Sequence, residues 1–116
     1  MAQHEGGCQC GRVRYAVEVG LEDAISCNCS RCGKLGSILA FAPAEAFDLK
    51  SGEDALTTYQ FNTHKISHLF CETCGIQSFG RGVAPSGAEM VAINVRCLDD
   101  VDIFALKPQQ VDGKSF

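Results

Sequence analysis

Eight cysteines in 116 residues constrain this chain more than any other feature, because seven of them stand in tight clusters. The clusters are Cys8 and Cys10, then Cys27, Cys29 and Cys32, then Cys71 and Cys74, while Cys97 stands alone. Disulfides suit this spacing poorly. Thiols two or three residues apart would each need a distant partner, chosen from about a hundred alternative pairings, and a reducing compartment would not preserve the bonds. Iron–sulfur proteins also use thiolates, but their characteristic runs are spaced differently. Zinc takes four thiolate or imidazole donors, at about 2.3 Å for sulfur, and closely spaced cysteine pairs are its usual sequence sign. The sequence therefore predicts zinc, at two sites.

Spacing divides the ligands. In an extended strand residues i and i+2 face the same way, so Cys8 and Cys10 are expected to present two sulfurs side by side. Cys71 and Cys74 bracket Glu72 and Thr73 and precede Gly75, the pattern of a tight turn that brings two thiolates to one point. Together the two pairs complete a tetrahedron, a closed site of the structural kind that contributes folding free energy directly. The middle cluster, Cys27-Asn28-Cys29-Ser30-Arg31-Cys32, supplies only three sulfurs. An open fourth position is the mark of catalytic zinc, so Cys27, Cys29 and Cys32 are the expected reactive centre. Cys97 could close that site. The alternative, which cysteine's usual behaviour as a small buried hydrophobe favours, is a core position in a strand.

The rest of the chain reads as mainly β. Residues 12–19 alternate, with Val13, Tyr15, Val17 and Val19 on one face and Arg12, Arg14, Ala16 and Glu18 on the other. Short apolar or β-branched runs at 35–41, 56–61, 65–70, 76–79 and 90–95 are separated by turn residues and predict further strands. Pro43 followed by Glu45 predicts one brief helical turn over 43–47, and no long amphipathic helix is expected. Gly113, Lys114 and Ser115 read as a frayed end. With no internal repeat or low-complexity tract, residues 1–116 form a single zinc-binding β domain.

Charge and hydropathy remove several classes of function. The net charge is −4 with a pI near 5.2, which denies the chain the positive field that phosphate binding exploits, and there is no tryptophan to stack on bases. Nucleic acid is not an expected partner. No apolar run approaches the roughly 18 residues of a spanning helix. Residues 1–15 carry neither a basic cap with an apolar stretch nor a cleavage site, so the expected location is the cytoplasm.

Three motifs occur together and in order: Gly6-Gly7-Cys8-Gln9-Cys10-Gly11-Arg12-Val13-Arg14-Tyr15, Cys27-Asn28-Cys29-Ser30-Arg31-Cys32 and Phe70-Cys71-Glu72-Thr73-Cys74-Gly75. On them the chain resembles the glutathione-dependent formaldehyde-activating enzyme family, related to centromere protein V, over about residues 6–102. The resemblance implies a small twisted antiparallel β-sheet fold shared with methionine sulfoxide reductase B and the translationally controlled tumour protein. It also implies structural ligands at Cys8, Cys10, Cys71 and Cys74, and a second zinc on Cys27, Cys29 and Cys32. The implied activity is that of S-(hydroxymethyl)glutathione synthase, which joins glutathione to formaldehyde and is formally a carbon–sulfur lyase in reverse.

Three thiolates leave zinc with a net negative charge, a weaker Lewis acid than one held by neutral imidazoles, so hydrolysis is not the natural chemistry. A small-molecule thiol with an aldehyde is the better match as substrate, because soft zinc favours sulfur and deprotonates it. Arg31 and Lys34 flank the cluster and could receive a substrate carboxylate, the competing expectation being two solvated surface charges. His64 and His68 are four apart, on one face of a strand, and could supply a ligand or proton shuttle. Lacking the glutamate of a helical His-Glu-x-x-His, they read more simply as a polar sheet face. Asp99, Asp100 and Asp102 lack calcium-loop spacing and read as a solvated turn. The alternative to an enzyme is a zinc-stabilised protein-binding module without turnover.

Overall fold

Residues 2–61 and 65–115 are described in the computed structural model. Arg14–Val19 (β2) is the central strand of a small sheet, flanked by Ala2–Gly7 (β1) and Phe47–Ser51 (β5), all antiparallel. The alternation expected here holds: Val13, Tyr15, Val17 and Val19 are all buried. Ala16, on the supposedly outer face, is buried as well.

The second sheet has seven strands. Besides Ile25–Cys27 (β3) and Leu39–Pro43 (β4), it contains Leu56–Tyr59 (β6), Ser67–Cys71 (β7), Phe79–Val83 (β8), Glu89–Asn94 (β9) and Gln109–Val111 (β10). Their order is β10-β3-β4-β9-β8-β7-β6. Every pair is antiparallel except β10 with β3, which run parallel, so this sheet is mixed rather than wholly antiparallel. Among the described residues the one α-helix is Cys32–Leu35 (α1), a single turn, and a 3-10 turn at Ala44–Ala46 occupies the helical position expected after Pro43.

The two sheets meet through aromatic rings. Tyr15, Phe47 and Phe79 come from β2, β5 and β8, and their ring centroids lie 4.7 to 5.7 Å apart, the range in which tilted and edge-on pairs attract. The Tyr15 hydroxyl donates to the Ser78 carbonyl at 3.0 Å, so the deepest phenol is satisfied. Val91, Ile93 and Val95 complete the core beneath them.

Several expectations shift in register or fail. The run at 35–41 becomes strand only from Leu39, because residues 32–35 are taken up by α1, and the run at 76–79 becomes strand only at Phe79. Cys8 and Cys10 do not lie in a strand: β1 stops at Gly7 and a turn carries both sulfurs. The chain there doubles back through Cys8 N–H to the Val13 carbonyl, 3.1 Å. Residues 113–115 are not frayed but form a 3-10 turn packed on the middle cysteine cluster.

Candidate metal centres

Two knuckles converge at the end of β7. The first is the turn after β1, in which Val13 N–H donates to the Cys8 sulfur at 3.3 Å. The second begins as β7 ends: Cys71 N–H bonds to the Ile76 carbonyl at 3.0 Å and Gly75 N–H returns to the Cys71 carbonyl at 2.7 Å. Gly75 closes this turn at φ 79°, a left-handed conformation that other residues resist. Arg12 reaches across from the first knuckle to donate to the Thr73 hydroxyl of the second at 2.8 Å.

The four sulfurs of Cys8, Cys10, Cys71 and Cys74 lie within 4.8 Å of one another. Cys8 to Cys10 is 3.6 Å and Cys10 to Cys71 is 3.7 Å. A disulfide would bring them to about 2.05 Å. Four sulfurs at about 2.3 Å from a tetrahedral zinc stand about 3.8 Å apart, so this donor set fits the ion by both chemistry and spacing. Burial resists charge on Cys74, yet backbone N–H groups of Ile76 and Cys10 overcome it and bring that thiol down to about 6.

Cys27, Cys29 and Cys32 also lie within 4.8 Å of one another, with Cys27 ending β3 and Cys32 opening α1. The chain between them curls around the sulfurs. Cys29 N–H points at the Cys27 sulfur, 3.4 Å, and Cys32 N–H at the Cys29 sulfur, 3.3 Å. Against the opposing effect of burial, the backbone N–H groups of Cys32 and Arg31 lower the Cys29 thiol. Burial, with Cys29 close by, pushes Cys32 up to about 12. The soft sulfur donors of the trio suit zinc. Among the described residues, no fourth histidine, cysteine or carboxylate joins them.

The residues between and after the trio's cysteines border a cavity of about 320 Å³, lined by Ser30, Arg31, Lys34, Leu35, Tyr59 and Phe61. Arg31 is held rather than loose. Its Nε and Nη2 both donate to Gln77 Oε1, at 2.9 and 2.6 Å, and its guanidinium stands 4.8 Å from the centre of the Tyr59 ring. Lys34 is exposed on the same rim. Gln77 is buried and its amide nitrogen faces His68 Nδ1 at 3.5 Å. His68 stacks on Phe61 at 5.2 Å between centroids, and burial, aided by Arg31, lowers its pKa and so favours the neutral ring.

The sequence profile of the glutathione-dependent formaldehyde-activating enzyme family matches residues 3–112. The chain belongs to that family. A crystal structure of a Rhodobacter sphaeroides protein, a structural-genomics target, is similar over 92% of this chain and 99% of its own, with 35% identity and a TM-score of 0.83.

Not every candidate meets the two cysteine centres of this family member. Cys97 joins neither group. It sits half-buried in the 3-10 turn Val95–Cys97, its sulfur 3.9 Å from the Gln77 carbonyl, and it is neither the closing ligand nor a strand residue, because β9 ends at Asn94. Burial raises its thiol to about 11. His64 lies outside the described residues. His68 is an interior residue rather than part of a polar sheet face. Asp99 is paired with Arg14, Asp100 accepts from His4 at 3.1 Å, and Asp102 caps the turn at Ile103–Ala105 by accepting from Phe104 N–H. These acids fasten chain segments together and do not form a cation site. Gln77 and Tyr59 carried no spacing signal in the sequence, since only the sheet order brings β6 and the segment after β7 to Arg31.

Proposed function

We propose that this chain is a zinc enzyme that joins small thiols to aldehydes, or cleaves the adducts, at Cys27, Cys29 and Cys32, with Cys8, Cys10, Cys71 and Cys74 holding a second zinc for the fold alone. One observation carries the reading: three converging sulfurs lack a fourth protein donor among the described residues, and Cys27 and Cys32 border an open cleft. Zinc held there would supply a soft Lewis acid that favours the thiolate form of an incoming thiol. Arg31, fixed by Gln77, and Lys34 offer two positive charges to a substrate carboxylate, Arg31 with fork geometry. Glutathione, a thiol with two carboxylates, meets these requirements, and family membership favours it with formaldehyde as the aldehyde. In the synthetic direction a carbon–sulfur bond forms, the carbonyl π pair moves to oxygen, and the thiol proton ends on that oxygen.

Free thiols suit a reducing cytoplasm, which we propose as the setting. A second reading, a binding module, is favoured by Phe41, Ile66 and Val83, which are exposed around one apolar cleft of the larger sheet.

Exchange NMR of glutathione and formaldehyde at equilibrium tests the choice. Zinc-loaded protein should accelerate interconversion with S-hydroxymethylglutathione above the spontaneous rate, and Cys29→Ser should abolish the acceleration. Exchange at the spontaneous rate would reject the enzyme and leave the binding module.

A further inference from the structure

We infer that Asn28 and Gly113 are positioning residues of the three-cysteine centre: Asn28 clamps residues 111–115 across it, and Gly113 leaves the space that the Cys27 sulfur needs. The inference rests on the reading of that centre as a zinc site open to a thiol.

The clamp is built from three hydrogen bonds. β10 runs beside β3 with Val111 level with Cys27. The next residue, Asn28, donates its N–H to the Val111 carbonyl at 3.2 Å. Its side chain then grips both sides of Gly113: Nδ2 donates to Asp112 Oδ1 at 2.9 Å, and Oδ1 accepts from Lys114 N–H at 2.9 Å. Ser115 Oγ donates to Asp112 Oδ2 at 2.6 Å and closes the turn. An asparagine suits this position because it alone of the short side chains carries a donor and an acceptor side by side.

What the clamp holds in place is an absence of side chain. A Cβ on Gly113 would lie 2.3 Å from the Cys27 sulfur, far inside any contact distance, and 3.4 Å from Cys29 Cβ. Gly113 is not among the glycines with positive φ, so what an alanine would meet is the sulfur, which would have to turn aside, and not a strained backbone. The start of the same segment, Val111 and Asp112, lines a cleft of about 500 Å³ together with Cys27, Asn28 and Cys32. The segment therefore both fixes the direction of one sulfur and bounds the space through which a thiol reaches the trio.

The test compares wild-type protein with Gly113→Ala, Asn28→Ala and a Lys114→Ala control. Zinc per chain is measured by native mass spectrometry, release is timed with a chromophoric chelator, and Cys27 alkylation by iodoacetamide is mapped in metal-free protein. In Gly113→Ala and Asn28→Ala one zinc should leave about tenfold faster, the size of effect seen when residues supporting metal ligands are removed, while the other stays as in wild type. Asn28→Ala should also alkylate Cys27 faster, with Cys8 unaffected, and the control should match wild type. Release and alkylation at wild-type rates in both variants would overturn the clamp. A wild-type protein that takes up only one zinc would instead reject the trio as a metal centre, and Cys27 alkylation would still decide whether Asn28 and Gly113 position that sulfur.

Discussion

Replacing Cys8 with serine should cost this protein far more stability than replacing Cys29, and the difference follows from where each cysteine centre ties the chain. The four-cysteine centre joins Cys10 to Cys71, 61 residues apart in sequence, so a metal there closes a long loop. The chain-entropy relation for such a cross-link gives about 4 kcal/mol for that loop, before any contribution from the packing it organises. The three-cysteine centre spans only residues 27–32 and closes no long loop. For a domain of this size, about 4 kcal/mol corresponds to a fall in Tm of roughly 15 °C. Thermal unfolding of zinc-loaded wild type, Cys8→Ser and Cys29→Ser, followed by circular dichroism at one free zinc concentration, measures the contrast. Cys8→Ser should lose at least that much and Cys29→Ser no more than a few degrees. Equal losses would refute the division into one centre for the fold and one for chemistry.

Arg31→Lys should raise KM for an acidic thiol about tenfold with kcat within about twofold, because lysine cannot reproduce the paired bonds to Gln77; a fall in kcat alone would contradict a binding role. Tyr15→Phe should cost about 0.5–1.5 kcal/mol in urea unfolding with m unchanged, since it removes one of two hydrogen bonds to the Ser78 carbonyl, which keeps the Asn94 N–H at 3.1 Å. His68 has a lowered pKa in the folded protein, so as pH falls below about 6.5 the unfolded chain binds the proton first and stability declines. Urea midpoints at about pH 7 and pH 5.5 should therefore fall further for wild type than for His68→Gln, and equal falls would mean that His68 is not held neutral by the fold.

How much of this was legible beforehand depends on whether a feature is local. The alternation of Val13, Tyr15, Val17 and Val19 named the core face of β2, because period-two burial is written directly in sequence. The grouping of the cysteines was equally legible, although one premise was wrong: Cys8 and Cys10 converge through a turn, not along a strand. β5 could have been found, since Phe47 and Leu49 alternate with Asp48 and Lys50. β1 could not, because Gln3, His4, Glu5, Gly6 and Gly7 become strand only by pairing with β2. The same limit hid Gln77, Tyr59 and the packing of Gly113 on Cys27, each of which depends on contacts between distant parts of the chain. Cys97 escaped for another reason. It follows a clear strand, but the strand ends at Asn94, whose side chain caps the next turn by accepting from Arg96 N–H at 3.2 Å.

The central claim is that the trio keeps one coordination position for an external thiol while the quartet keeps none. Zinc-edge X-ray absorption on protein with two zincs bound, before and after glutathione is added, measures it. The account predicts an average coordination that gains sulfur at one of the two metals, and an unchanged spectrum in Cys29→Ser protein carrying only the zinc of the quartet. A wild-type spectrum identical with and without glutathione would contradict it.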